Sequence, residues 1–288
     1  MMDQPMVSVL MTAYNRELYI AEAIDSVLAS TYTNFELIIV DDVSKDNTVE
    51  IARAYAAKDP RIKVYVNERN LGDYPNRNRA ASYAKGKYIK YLDSDDKIYD
   101  FGLRYCVEQM ERWPECAIGM IVLYEMGAGD SVCWSSEKIV HEHFFNRQYL
   151  WIGPSGTIIR RDKFEEMGGY DTRFGPSSDM YFNISMASSS PVLLLQDAFF
   201  YYREHEGQER NNEKGYLKFN YLYFKDLIEK EKLPLAKSDI RFLYRKMKKR
   251  HSFNLTRYVL KKKDWHSFRE VMKDTQFSFS DLLSSYFK

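Results

Sequence analysis

The feature that most constrains this chain is an alternation across its first hundred residues. Continuous apolar runs at 6–12, 35–40, 62–66 and 88–92 take turns with segments whose apolar residues recur at helical spacing. In 16–30 those residues are Ile20, Ile24, Val27 and Leu28, one face of a helix. Residues 47–57 read as a second helix, capped by Ser44 or Asp46, and 74–84 as a third, in which Pro75 fits the first turn. Strands alternating with helices at this spacing predict βαβ units and a parallel sheet. Unbroken apolar strands predict that both faces of the sheet are covered.

Beyond residue 100 the pattern loosens. It reads as a helix over 101–113, a strand over 117–124, a turn at 127–130 and an aromatic-rich helix and loop over 141–151. A short strand follows at 155–160, then a helix over 162–167 closed by Gly168 and Gly169, a helix over 179–187 and a strand over 191–202. From 215 the chain is helical and increasingly basic, and the polar stretch 208–215 marks a boundary. The expected organisation is an α/β domain over 1–213, with halves 1–100 and 101–213, and a basic helical region over 214–288.

In open parallel sheets ligands bind outside the carboxyl ends of the strands. Here the first strand ends in Thr12-Ala-Tyr-Asn15, the second in Asp41-Asp42 and the fourth in Asp93-Ser-Asp-Asp96. Two unit charges about 4 Å apart repel by roughly 4 kcal/mol at an effective dielectric of about 20. Either the carboxylates splay into water or a cation sits among them. Two acidic clusters at one rim favour the cation.

Of the 288 residues 45% are hydrophobic, enough for a sizeable core, and the net charge of +1 argues against wholesale nucleic-acid binding. That average hides a split. From Ala236 to Lys288 there are fourteen Lys and Arg against five Asp and Glu, so the tail is basic and the remainder acidic. The three cysteines, Cys106, Cys116 and Cys133, have neither metal nor redox spacing and fit a reducing compartment. With no leader at the N-terminus and no apolar run of about 18 residues, the expectation is a cytoplasmic protein, with association with the inner face of the membrane left open.

Four motifs occur in order: Val7-Ser-Val-Leu-Met-Thr-Ala-Tyr-Asn15, Phe35-Glu-Leu-Ile-Ile-Val-Asp-Asp-Val-Ser44, Asn70-Leu-Gly72 and Tyr91-Leu-Asp-Ser-Asp-Asp96. Together they resemble the family 2 glycosyltransferases, inverting nucleotide-sugar enzymes of the GT-A fold, over roughly residues 5–205. The resemblance implies a Rossmann-like, mostly parallel sheet flanked by helices, to which this chain adds a C-terminal helical appendage. It implies transfer of a sugar from a nucleoside-diphosphate donor, most simply a UDP-sugar, to a saccharide or lipid-linked acceptor in surface polysaccharide biosynthesis.

The family's DxD motif maps onto Asp93, Ser94 and Asp95. By resemblance Asp95 ligates Mn²⁺ or Mg²⁺, hard cations that prefer carboxylate oxygen. Asp93 touches the ribose or the metal's water shell, and Asp96 orients the pair. Thr12 and Tyr14 line the nucleobase pocket, Asp42 accepts a hydrogen bond from the base, and Asp41 fixes the loop. Arg77, within Asn76-Arg77-Asn78, suits phosphate oxygens. The segment Gly168-Gly-Tyr-Asp171 followed by Pro176-Ser-Ser-Asp-Met180 puts Asp179 where the family carries its general base, although Ser178 replaces the first acid of the usual Glu-Asp pair. His205, in Arg203-Glu-His205, corresponds to a histidine that completes the metal's coordination, and Arg203 to a diphosphate partner.

The residues leave other points open. Trp151 reads equally as an acceptor-site wall and as a core residue. The tail, with Arg245-Lys-Met-Lys-Lys-Arg250 among aromatics, fits either peripheral membrane contact through 236–288 or a helical cap with its basic face in water. A sugar nucleotidyltransferase would need a glycine-rich phosphate loop after the first strand, and Thr12-Ala-Tyr-Asn-Arg16 has none. A non-catalytic nucleotide-sugar-binding protein is argued against by the intact Asp93, Asp95 and Asp179.

Overall fold

The computed structural model describes residues 6–122, 130–205, 212–230 and 232–287. The N-terminal half runs β1 (Val7–Ala13), α1 (Ile20–Leu28), β2 (Phe35–Asp41), α2 (Thr48–Ala56), β3 (Ile62–Val66), α3 (Asp73–Ala81) and β4 (Tyr88–Tyr91). β1 pairs in parallel with both β2 and β4, and β2 with β3. The chain therefore winds outward from β1 to β3 and returns to the other side of β1. That reversal creates a crevice between the ends of β1 and β4, the position where such sheets bind ligands.

After the short β5 (Lys97–Ile98) come α4 (Gly102–Arg112), β6 (Ile118–Ile121), β7 (Val132–Trp134), α5 (Ser136–Phe145), β8 (Thr157–Arg160), α6 (Arg161–Glu166), α7 (Ser178–Ser189), β9 (Val192–Leu195) and β10 (Phe200–Tyr201). The main sheet has eight strands in the order β3-β2-β1-β4-β8-β6-β9-β7, and β10 pairs with β5 in a separate ribbon. β8 enters antiparallel to both β4 and β6, so the sheet is mixed where the two halves meet.

The strands carry two cores, one per face. Val9, Met11, Leu37 and Ile39 point to the side covered by Ile20, Ile24 and Val27 of α1 and by Leu103 and Val107 of α4. Leu10, Ile38 and Tyr91 point to the other, with Phe164, Phe182 and Ile184. This period-two partition over fully buried strands is the sheet covered on both faces.

Four C-terminal helices follow: α8 (Glu213–Glu229), α9 (Lys237–Lys262), α10 (Trp265–Asp274) and α11 (Phe279–Phe287). Their Tyr221, Leu227, Leu243, Leu255 and Phe268 are buried in the same cluster as the sheet residues Leu10 and Ile118.

Several elements differ from the sequence reading, the short β5 among them, which had no counterpart there. The aromatic-rich helix starts at Ser136, because Ser135 is extended and its Oγ caps the Lys138 amide; it ends at Phe145, and 146–151 is a loop tied back by the Leu150 amide to His143 Nδ1. The strand expected over 191–202 splits into β9 and β10, because the amides of Gln196 and Asp197 leave the sheet and donate to the Tyr105 hydroxyl. β7 had no counterpart in the reading. Most of the turn expected at 127–130, and the end of the strand expected over 117–124, lie outside the described residues.

Candidate active site

The tip of β4 is held from below before it is used. Lys90 is fully buried, and its Nζ donates to the carbonyls of Tyr91 (2.7 Å) and Ser155 (2.5 Å). Burial lowers its pKa to about 8. Ser155 Oγ accepts the Asp93 amide (3.0 Å), and Ser94 Oγ donates to the Thr12 carbonyl (2.8 Å). The acidic loop is thus fastened to β1 on one side and to the 154–156 turn on the other.

On this base Asp93, Asp95 and Asp96 each place a carboxylate oxygen within 4.8 Å of the others. Cations surround them. Arg77 Nη1 donates to Asp93 Oδ1 (2.7 Å) while its Nε holds Asp73 (2.8 Å). Arg16 Nε meets Asp95 Oδ2 at 3.0 Å, and His205 Nε2 lies 2.9 Å from the same oxygen. Burial works against the charge on Arg77, but Asp73 and Asp93 outweigh it and its pKa rises. Asp96 Oδ1 accepts the Arg203 amide (3.0 Å), whereas Asp96 Oδ2 is buried without a hydrogen-bond partner among the described residues. Burial, with Asp93 and Asp95 alongside, pushes the Asp96 pKa up to about 7.

An open cleft of about 590 Å³ runs from these carboxylates along the end of β1, lined by Thr12, Tyr14, Arg16, Asp42, Asp73, Tyr74, Arg77, Asp93, Ser94, Asp95 and, from α8, Tyr216. Tyr14 is 42% exposed and offers its ring to this space. Asp42 is nearly buried. Its Oδ1 accepts the Leu71 amide and Asn67 Nδ2, and its Oδ2 the Gly72 amide, each at 2.8 Å. It therefore fixes the loop that carries Gly72, whose φ of 86° suits glycine. Asp41 fixes its own loop through the Ser44 amide (2.8 Å).

Asp179 stands in the first turn of α7, where its Oδ1 accepts the Met180 amide (2.7 Å). Burial pushes its pKa up to about 7, against that hydrogen bond, one from Tyr74 and the charge of Arg77. Tyr74 and Pro176 form the cleft wall on this side, and Met180 lines a neighbouring cavity.

The structure thus gathers Thr12, Tyr14, Asp42, Arg77, Asp93, Ser94 and Asp95 around one cleft, with His205 against Asp95 and Asp179 behind Tyr74's hydrogen bond. Arg203 is turned elsewhere: its Nε donates to the Asp95 carbonyl and its Nη2 to Glu22. Sequence reasoning passed over Arg16, Asp73, Tyr74 and Tyr216. Arg16 adjoins the first motif, but what its charge does is set by Asp95, far along the chain. Nothing local singles out Tyr216, which arrives from beyond the expected domain boundary.

A family model described as Glycosyl transferase family 2 matches residues 8–168. The Glycosyltransferase GlyG of Streptococcus pneumoniae serotype 4 is 27% identical over 240 residues, 78% of this chain and 77% of that protein. The UDP-Glc:alpha-D-GlcNAc-diphosphoundecaprenol beta-1,3-glucosyltransferase WfgD of Escherichia coli is 45% identical over 95 residues, which are 33% of this chain and 37% of that protein. Among solved structures, TarS 1-349 of S. aureus in complex with UDP-GlcNAc superposes with a TM-score of 0.74 at 20% identity, over 93% of this chain and 80% of that one. The mannosyltransferase PcManGT of Pyrobaculum calidifontis, in complex with GDP-Man and Mn²⁺, gives 0.67 at 15% identity over 100% and 87%. At these identities the two structures show a shared fold.

Proposed function

The chain belongs to glycosyl transferase family 2 and is a glycosyltransferase, and from that premise we propose that it moves a sugar from a UDP-linked donor to a saccharide or lipid-linked acceptor of surface polysaccharide, with inversion at the anomeric carbon. The observation that carries this reading is the crevice between β1 and β4, with an exposed aromatic at one end and three converging carboxylates at the other. The UDP-Glc donor of WfgD and the UDP-GlcNAc bound to TarS favour uridine as the nucleoside.

In this reading Tyr14 stacks on the base, Thr12 lines its pocket and Asp42 accepts from it. Asp93 and Ser94 hold the ribose side, and Arg77 faces the diphosphate. The acidic tip fits a hard divalent cation: its donors are carboxylate oxygens, and the buried Asp96 Oδ2 lacks a partner among the described residues. Asp95 and Asp93 would hold Mn²⁺ or Mg²⁺, and His205, beside Asp95, would complete the set. When bound, the ion neutralises the charge that develops on the departing diphosphate. Asp179 takes the proton of the acceptor hydroxyl as its oxygen bonds to the anomeric carbon, and the bond to the diphosphate breaks with its electron pair leaving on UDP.

Peripheral membrane contact is part of the proposal. Phe242, Phe253 and Leu260 are 51%, 57% and 73% exposed. Their spacing returns them to one face of α9, and the exposed Arg245, Lys249 and Arg257 stand among them. No helix among the described residues is long and apolar enough to cross a membrane.

A panel of UDP- and GDP-sugars assayed for Mn²⁺-dependent hydrolysis tests the donor. Turnover of one UDP-sugar is expected. Turnover confined to GDP-sugars would remove the uridine assignment, and none with any donor would remove the donor reading.

A further inference from the structure

Beside the donor cleft lies a second cavity, between α5, α7 and the C-terminal helices α8 and α9. Its walls include Trp151, Tyr216, Tyr223, Lys246, Arg250 and His251. We infer that this cavity is the acceptor subsite and that it takes a sugar or polyol attached to phosphate; the inference rests on the glycosyl-transfer reading above.

The charge pattern comes first. The lining contains no Asp or Glu, yet it holds two cations. The Arg250 guanidinium lies 5.9 Å from the centre of the Trp151 ring, and Lys246 Nζ makes only a 3.4 Å contact with the Phe144 carbonyl. Neither cation forms a salt bridge among the described residues, whereas Lys248, Lys261 and Lys262 of the same helix do. A guanidinium beside an exposed indole and an ammonium one turn away offers donors to phosphate oxygens and a flat face for a sugar ring.

The second observation is independent. His251 is 4% exposed and lines the same cavity, yet its Nε2 has no hydrogen-bond partner among the described residues. Burial lowers its pKa to about 3, so the imidazole is neutral, and its ring packs against Tyr221 and Phe277. A buried polar atom left unsatisfied is uncommon and calls for a missing partner.

Position connects the cavity to the chemistry. Tyr216 lines both the donor cleft and this cavity, and Met180 follows the proposed base directly. The Tyr223 hydroxyl, its pKa raised to about 12 mainly by burial, feels both the charge of Arg250 and that of Asp179. The free space is about 120 Å³. A water needs roughly 10–15 Å³ of such space, so the cavity takes about ten waters' worth. That suits a phosphate with part of one ring, the remainder of the acceptor passing out over Trp151.

The test is calorimetric titration of the full chain with N-acetylglucosamine 1-phosphate, free N-acetylglucosamine and glycerol 3-phosphate, each with and without UDP. The sugar phosphate is expected to bind at least tenfold more tightly than the free sugar. The Lys246→Gln/Arg250→Gln double variant should lose tenfold or more of that affinity, the scale of one charge-assisted hydrogen bond, while UDP affinity and melting temperature hold. Lys249→Gln, the same charge change on the outer face, should bind as wild type. Glycerol 3-phosphate binding as well as the sugar phosphate would point to a polyol-phosphate chain; weaker binding would point to a saccharide on a lipid diphosphate. Equal affinity for free sugar and sugar phosphate, or an unaffected double variant, would overturn the inference. Failure of UDP itself to bind wild type would count against the donor reading and leave the cavity titration to decide separately.

Discussion

Asp179 is a carboxyl group whose surroundings disfavour its charge, and that is what suits it to accept a proton. A general base works best with a pKa near the operating pH. Burial raises Asp179 to about 7, so the base proposed here is protonated in acid and competent as pH rises through 7. Transfer measured as kcat/KM should therefore climb towards a plateau above pH 7 and fall about tenfold per unit well below it. Asp179→Asn should lower kcat by 10²-fold or more, a typical contribution of general-base catalysis, with UDP affinity unchanged. A rate independent of pH down to 5, or a variant that loses UDP binding together with turnover, would mean that the base lies elsewhere. Asp93, Asp95 and Asp179 stand out in the sequence because each belongs to a short motif at a strand or helix end, and their roles are those proposed above. Arg16 could not, since its meaning comes from Asp95, 79 residues away. The second role of Asp42, holding the amides of Leu71 and Gly72, was hidden for the same reason.

At the scale of elements, the βαβ half was readable because apolar periodicity is local and β1, β2 and β4 are buried on both faces. The later elements were harder because their limits depend on partners. α5 begins where Ser135 caps it, and β9 stops where Tyr105 draws the chain out of the sheet. The C-terminal helices show the largest gap between reading and structure. Their composition suggests a basic appendage, yet Leu243, Leu255 and Val259 sit in the sheet's own core and Tyr216 reaches the cleft. Leu255 is fully buried, so Leu255→Ala should cost about 2–5 kcal/mol. Differential scanning calorimetry should show this as a lower midpoint for one transition of the whole chain. A separate low-temperature transition, with the main one unmoved, would mean that the helices fold as their own unit.

At the scale of the molecule, the acidic and the basic surfaces belong to different elements. The acidic rim faces the donor cleft, and the basic α9 presents Phe253 and Leu260 outward. Flotation with anionic vesicles should carry the full chain upward at low salt and release it at high salt, as expected for contacts worth about 1 kcal/mol per cation. Phe253→Ser/Leu260→Ser should weaken flotation, and equal flotation with neutral vesicles would contradict a membrane-facing helix. The central claim, however, is that the carboxylates at the end of β4 hold a divalent ion against a nucleoside diphosphate. Its most direct test is calorimetric titration of UDP into wild type and Asp95→Ala, in Mn²⁺ and in chelator. The account predicts that Mn²⁺ tightens UDP binding at least tenfold in wild type and by no more than twofold in the variant. The same UDP affinity in Mn²⁺ and in chelator would contradict it.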